Sequence, residues 1–273
     1  MKRILFLVIC ISVFSLISCE NYKAKKKIKA DLSDVQFEDK DLNYDSIFAL
    51  VPDYNEMLGI LKDVRVGYSS KILLDSKSAE MFLTSKEVSF ALGMFVADLA
   101  YVRYFEKVQL CTEYLESLKI LTEKLAISNK NFESLVKKVE TNIQDRDELF
   151  LVVDSLLGEA NKIFTKSEQH SLSCLALSGF WLEISYLGLN SINAENIENN
   201  SDFFHSHFEI LKLINQLYSC LEDESFINPL KQNFLELEAK GLENLELEED
   251  ILKIRSDYVK WGDVENFYIF CYL

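Results

Sequence analysis

The chain has 273 residues, of which 44 are acidic and 29 basic, for a formal net charge of −15. Such a surface excludes nucleic acid as an expected partner, because neutralising a phosphate backbone takes an excess of Lys and Arg. Only 8 glycines and 2 prolines interrupt it, too few breakers for a turn-rich sheet fold.

The first residues read "MKRILFLVICISVFSLISCE". Lys2 and Arg3 form a positive start, and the apolar run Ile4–Ile17 is too short and wrongly flanked for a stable span. It ends in Leu16-Ile17-Ser18-Cys19, which resembles a bacterial lipobox. The resemblance implies a signal peptide over residues 1–18 and a diacylglycerol on the thiol of Cys19, which becomes the new N-terminus. The expected location is the cell envelope, with a lipid anchor in the outer membrane facing the periplasm or the cell surface. Several acyl chains hold far better than one, since each buried methylene adds about 0.8 kcal/mol. Loss of Lys2 and Arg3 takes the net charge to −17.

Residues 19–43 are polar and aperiodic and read as a tether. Lys23, Lys25, Lys26, Lys27 and Lys29 cluster there; the plain reading is a solvated linker, the sharper one attraction to anionic headgroups at about 1 kcal/mol per basic residue. Residues 44–273 then read as one all-α domain, a multi-helix bundle of about eight helices at ordinary helix lengths.

Leu110, Tyr114, Leu118, Leu121 and Leu125 mark one helical face. Asp145 with Glu148 three residues on resembles a capping box, opening a helix that carries Leu149, Val152, Val153, Leu156, Ala160 and Ile163. Ser167 caps an apolar helix that follows, and Glu183 interrupts it, so no segment after the signal is expected to span a membrane. Phe204, Phe208, Leu211, Ile214, Tyr218 and Leu221 form a further stripe. Pro229 marks a break or first turn and Gly241 a C-cap, with Leu230, Phe234 and Leu237 between. Leu247, Ile251, Ile254 and Tyr258 make the last clear helix, and the aromatic tail 264–273 is expected to dock on the core.

Two stretches echo one another. Ala91–Tyr101 reads "ALGMFVADLAY" and, 85 residues on, Ala176–Tyr186 reads "ALSGFWLEISY", setting Asp98 level with Glu183. Both belong to helices apolar on nearly every side, which suggests two pseudo-repeated halves with buried central helices.

The same regions carry a resemblance. "LGMFVADLAYVRYFEKVQ", "DRDELFLVVDSLLGEANKIF" and "LSGFWLEISYLGLN" resemble blocks of uncharacterised all-helical envelope lipoproteins of Bacteroidetes, which carry GVYGADLxY, NRDxL and GGWIEGLY-like motifs. Gly93, Ala97, Asp98, Leu99, Tyr101 and Tyr104 match the first block; Arg146, Asp147, Leu149, Asp154, Glu159 and Ala160 the second; Gly179, Trp181, Glu183 and Tyr186 the third. Phe95-Val96, Gln144-Asp145 and Ser178 depart from it. The resemblance implies fold and compartment and no activity. Asp45-Ser46-Ile47 and Asp154-Ser155-Leu156 also resemble the Asp-Ser-aliphatic O-glycosylation sites of such envelopes, which implies Ser46, beside the tether, as the acceptor.

A carboxylate alone in a core costs several kcal/mol, so it must be paired, hydrogen-bonded or protonated. Asp98, Glu183, Tyr101, Tyr186 and Trp181 are therefore the candidate polar or pocket residues. Three readings compete. In the favoured one the acids accept bonds from a Tyr, Trp181 or a basic residue and register the central helices. In the second they line a pocket for a small cationic or polar ligand. In the third a pair of carboxylates performs acid–base catalysis.

Other chemistry is sparse. His205 and His207 point about 200° apart on a helix. Asp202, His205 and Glu209 share a face but read better as a solvated helix start than as a metal site. There is no HExxH, G-x-S-x-G, G-x-G-x-x-G or Walker pattern, so no catalytic residue, metal or cofactor is expected. Cys111, Cys174, Cys220 and Cys271 are widely spaced and read as buried thiols. The expected partners are the membrane, through the lipid on Cys19, and an envelope protein or a small ligand.

Overall fold

Two helices that are apolar almost all round have to lie at the centre of whatever they build, and here they do. A computed structural model of the chain describes residues 43–52, 57, 67–125, 134, 137, 155, 170–191, 201–222, 227–241 and 247–259. The fold is all-α. Its helices are α1 (Tyr44–Phe48), α2 (Ser85–Tyr104), α3 (Val108–Lys124), α4 (His170–Ser191), α5 (Ser201–Ser219), α6 (Ile227–Lys240) and α7 (Leu247–Val259), with short 3₁₀ turns at Ser70–Ile72 and Ser76–Glu80. The signal, Cys19 and the basic tether lie outside the described residues. So do the helix read over 145–163, apart from the exposed Ser155, and the tail with Cys271.

Helix α2 starts where its sequence offers a cap. Thr84 accepts from the Glu87 backbone N–H at 3.3 Å, and the Glu87 carboxylate accepts from the Thr84 N–H at 2.8 Å. This reciprocal box satisfies two donors that a helix end leaves open. From Glu87 to Val102 every side chain of α2 is buried.

Helices α2 and α4 run parallel. Ser89 of α2 donates to the Leu172 carbonyl near the start of α4; Gly93 meets Ala176 further along; Asp98 meets Glu183 further still. The 85-residue echo is thus a spatial register across the central pair. The backbones touch. A Cβ on Gly93 would lie 1.9 Å from the Ala176 carbonyl oxygen, and one on Gly179 would lie 2.0 Å from that of Phe90. Each glycine follows by three residues the carbonyl that the other glycine approaches, so the contact is reciprocal. Helix α4 is long and apolar enough to cross a bilayer by length and composition, and its burial within the bundle accounts for that character.

The remaining helices cover this pair. The buried face of α3 consists of Cys111, Tyr114, Leu115, Leu118 and Leu121, with Ser117 and Thr122; Leu110 and Leu125 sit at its margin, half-buried. Helix α5 turns inward a face that includes Leu211, Ile214 and Tyr218. Asn215 ties it to α6 through the Phe234 carbonyl at 3.1 Å and Glu238 at 2.7 Å. In α6 Pro229 occupies the first turn, where its missing N–H costs nothing. Just beyond the helix, Gly241 adopts φ +77°, a conformation that Gly supplies cheaply. Helix α7 buries Ile251, Ile254 and Tyr258 and reaches α2 through Tyr258 on Phe90, 5.0 Å between centroids.

One segment without regular α-helix is held in an unusual way. Residues 67–84 cross the bundle as a strap, and side chains from three helices bind its backbone. Tyr101 donates to the Gly67 carbonyl and accepts from the Ser69 N–H. Arg255 binds the Ile72 carbonyl, Asp98 the Leu74 N–H, Tyr114 the Leu74 carbonyl and Ser117 the Ser76 carbonyl. Lys124 donates to the carbonyls of Ala79, Glu80 and Phe82. Backbone groups that form no helix or sheet need such partners when water is excluded.

Candidate functional site

Asp98 on α2 and Glu183 on α4 are both fully buried, at 0% exposure. They are neighbours because the helices carrying them run parallel and level. The partner of Glu183 is Arg255 of α7, whose Nε lies 2.7 Å from Oε2 and whose Nη2 lies 2.8 Å from Oε1. This is the fork-to-fork pairing of a guanidinium with a carboxylate, stronger than a single neutral bond. Nη2 also donates to the Ile72 carbonyl at 3.1 Å, and the guanidinium carbon stands 4.1 Å over the Tyr186 ring. The Arg255 side chain keeps only 12% of its exposure. Burial works against its charge, but the Glu183 carboxylate outweighs that and holds its pKa up.

Asp98 is satisfied differently. Its Oδ2 accepts from the Leu74 N–H at 3.0 Å. Its Oδ1 is buried and meets no donor among the described residues, while the carboxyl group abuts that of Glu183. Two ionised carboxylates beside one guanidinium would leave an excess negative charge in a buried setting. Burial first, and then the charge of Glu183, raise the pKa of Asp98 well above the ordinary 3.8. That shift favours the protonated form, which can donate toward Glu183. Asp98, Glu183 and Arg255 form one cluster. Tyr114 closes it from α3, its hydroxyl donating to the Leu74 carbonyl at 2.6 Å. Burial, then the two carboxyls, keep that phenol protonated.

The five candidate residues divide. Asp98, Glu183 and Tyr186 meet around Arg255. Tyr101 joins them through the strap, spending its hydroxyl on Gly67 and Ser69. Trp181 does not join. Its indole N–H donates to the His207 carbonyl at 2.8 Å, and its ring packs edge-on against Phe234. Sequence reasoning called for a basic partner without naming Arg255. A signal existed: Arg255 lies four residues after Ile251 and three before Tyr258, inside the apolar stripe of α7. Nothing in the sequence pointed to the strap, whose contribution is backbone.

Ser46 is exposed in α1, and both its N–H and its hydroxyl donate to the Asn43 carboxamide, at 3.0 and 2.9 Å. His205 is exposed and Glu209 pairs with Lys212 at 2.8 Å. Among the described residues no group of three His, Cys, Asp or Glu side chains could hold a metal ion. Cys111 and Cys174 are buried, as their apolar surroundings suggest. Cys220 is exposed, against expectation, because it falls just past the end of α5. Burial pushes the Cys174 thiol well up.

Chemically, the cluster binds and fixes. It joins α2, α4, α7 and the strap through hydrogen bonds whose acids are fully buried and whose guanidinium keeps slight exposure. No family model, curated protein or solved structure matches this chain.

Proposed function

We propose that the chain is a membrane-tethered envelope lipoprotein whose helical domain works by binding another envelope component through its surface. The N-terminal segment supports the tether: Lys2 and Arg3, an apolar run, then Leu16-Ile17-Ser18-Cys19. The observation that favours surface binding over an internal pocket is the 0% exposure of Asp98 and Glu183. With Arg255 on one side and the strap on the other, the acids offer an incoming ligand no free face among the described residues. They serve as the register of a rigid scaffold, and a rigid scaffold presents its surface with little ordering cost on binding.

The test has two arms. Cys19→Ala is expected to leave the membrane fraction and lose its lipid-modified mass. Wild-type protein captured from detergent-solubilised envelope is expected to bring down a stoichiometric protein partner. A Cys19→Ala protein that still partitions with membranes and matures normally overturns the tether. The alternative, a small-ligand protein with an acidic inter-helix pocket, takes first place if native mass spectrometry finds a co-purified small molecule and no protein.

A further inference from the structure

The surroundings of Arg255 have the composition of a receptor for its head group. Two parallel carboxylate bonds come from Glu183, a third acceptor from the Ile72 carbonyl, and an aromatic face from Tyr186 at 4.1 Å. A planar guanidinium uses all three features at once; a compact ammonium cannot take the fork and the stack together. The receptor residues belong to α4 and the strap, whereas Arg255 arrives on a separate helix that buries three apolar side chains, Ile251, Ile254 and Tyr258, among those described. The acceptors and the aromatic face of this cradle lie outside α7, and α7 supplies the side chain that fills it. Asp98 backs it with a buried Oδ1 that meets no donor among the described residues. The guanidinium retains slight exposure and Tyr186 is half-buried, so the cradle opens toward solvent on that side.

We infer that Glu183, the Ile72 carbonyl and Tyr186, backed by Asp98, form a guanidinium-specific binding site that the chain occupies with its own Arg255. It accepts a guanidinium from outside when that side chain is withdrawn. The ligand class is a small guanidinium or an arginine side chain. Lysine-like cations are rejected because they satisfy one carboxylate oxygen and leave the other buried without a donor.

The full chain carrying Arg255→Ala tests this, with methylguanidinium as probe and methylammonium as control. Each is used at about 20 mM, far below denaturing concentrations. Methylguanidinium is expected to raise the Tm of the variant by about 2–4 °C, saturably. Wild-type protein should not respond, nor should the variant with methylammonium, and adding Glu183→Gln to Arg255→Ala should abolish the rise. If Arg255→Ala does not fold unaided, its refolding yield becomes the readout, expected to recover in methylguanidinium and not in methylammonium. Equal responses to the two cations, an unsaturable response, a response that survives Glu183→Gln, or no response in either assay overturns the site.

Discussion

Arg255 and Glu183 meet 72 residues apart in the chain through two hydrogen bonds of 2.7 and 2.8 Å, and this pair joins the last described helix to the buried centre. Removing one partner of a buried pair leaves the other charged and unsatisfied, at a cost of about 3–5 kcal/mol. Arg255→Ala and Glu183→Ala should each lower the unfolding free energy by that much, read from the shift in urea midpoint. The double variant should cost clearly less than the sum, because the second substitution removes a charge already stranded. Strict additivity in a urea double-mutant cycle would show that the two do not share one network.

Asp98 makes the stability of the domain depend on pH. Its carboxyl titrates at an ordinary 3.8 when unfolded and well above that when folded. The folded state therefore binds more protons at intermediate pH, and stability falls as pH rises from about 3.8 through the folded-state value. Asp98→Asn keeps an acceptor for the Leu74 N–H and offers a permanent N–H toward Glu183, so it imitates the protonated acid. Urea titrations at several pH values should find Asp98→Asn at least as stable as wild type at pH 7, with the downward slope above pH 4 reduced. A variant with the wild-type slope would place the proton elsewhere. Asp98→Ala, which strips the acceptor from the Leu74 N–H, should lose about 1–3 kcal/mol.

Gly93 and Gly179 set the distance between the central helices. Each Cβ would fall about 2 Å from a backbone carbonyl oxygen, which cannot swing aside as a flexible side chain can. Gly93→Ala and Gly179→Ala should each destabilise by about 3 kcal/mol or more and loosen the bundle. Gly67→Ala is the control, with nothing within 4 Å of the added carbon, and should stay within about 0.5 kcal/mol. Thermal unfolding of the three variants decides; a neutral Gly93→Ala would mean that α2 and α4 do not touch as described.

The thiols should separate by exposure. Alkylation of the native protein followed by peptide mapping should label Cys220 and spare Cys111 and Cys174, which react only after denaturation. Native labelling of Cys174 at the rate of Cys220 would contradict the packing of α4 against α5.

The all-α class was legible from periodicity and from the scarcity of Gly and Pro. So was the Gly241 cap, and Pro229 signalled a break or first turn of which the structure took the first turn, because each reports a local backbone requirement that its residue type meets. The centre was legible too: Ala91–Tyr101 and Ala176–Tyr186 have no polar face, and a helix without one has to be enclosed. Their matching pattern even set Asp98 level with Glu183. Legibility ended where the answer depended on which distant elements cross. Tyr101 and Trp181 lie close in sequence to the acids and spend their polar atoms elsewhere, because a helix sends residues a few positions apart toward different neighbours. Cys220 looked like a core thiol until the end of α5 left it in solvent. Arg255 and the strap were beyond a one-dimensional reading for the same reason. Periodicity reveals which face of a helix is buried, whereas the partner of a buried charge is chosen by long-range packing, and the Ile72 carbonyl and Leu74 N–H are backbone groups that every sequence possesses. That crossing of α7 and the strap over the parallel pair gave two buried carboxylates a guanidinium and a backbone N–H as partners.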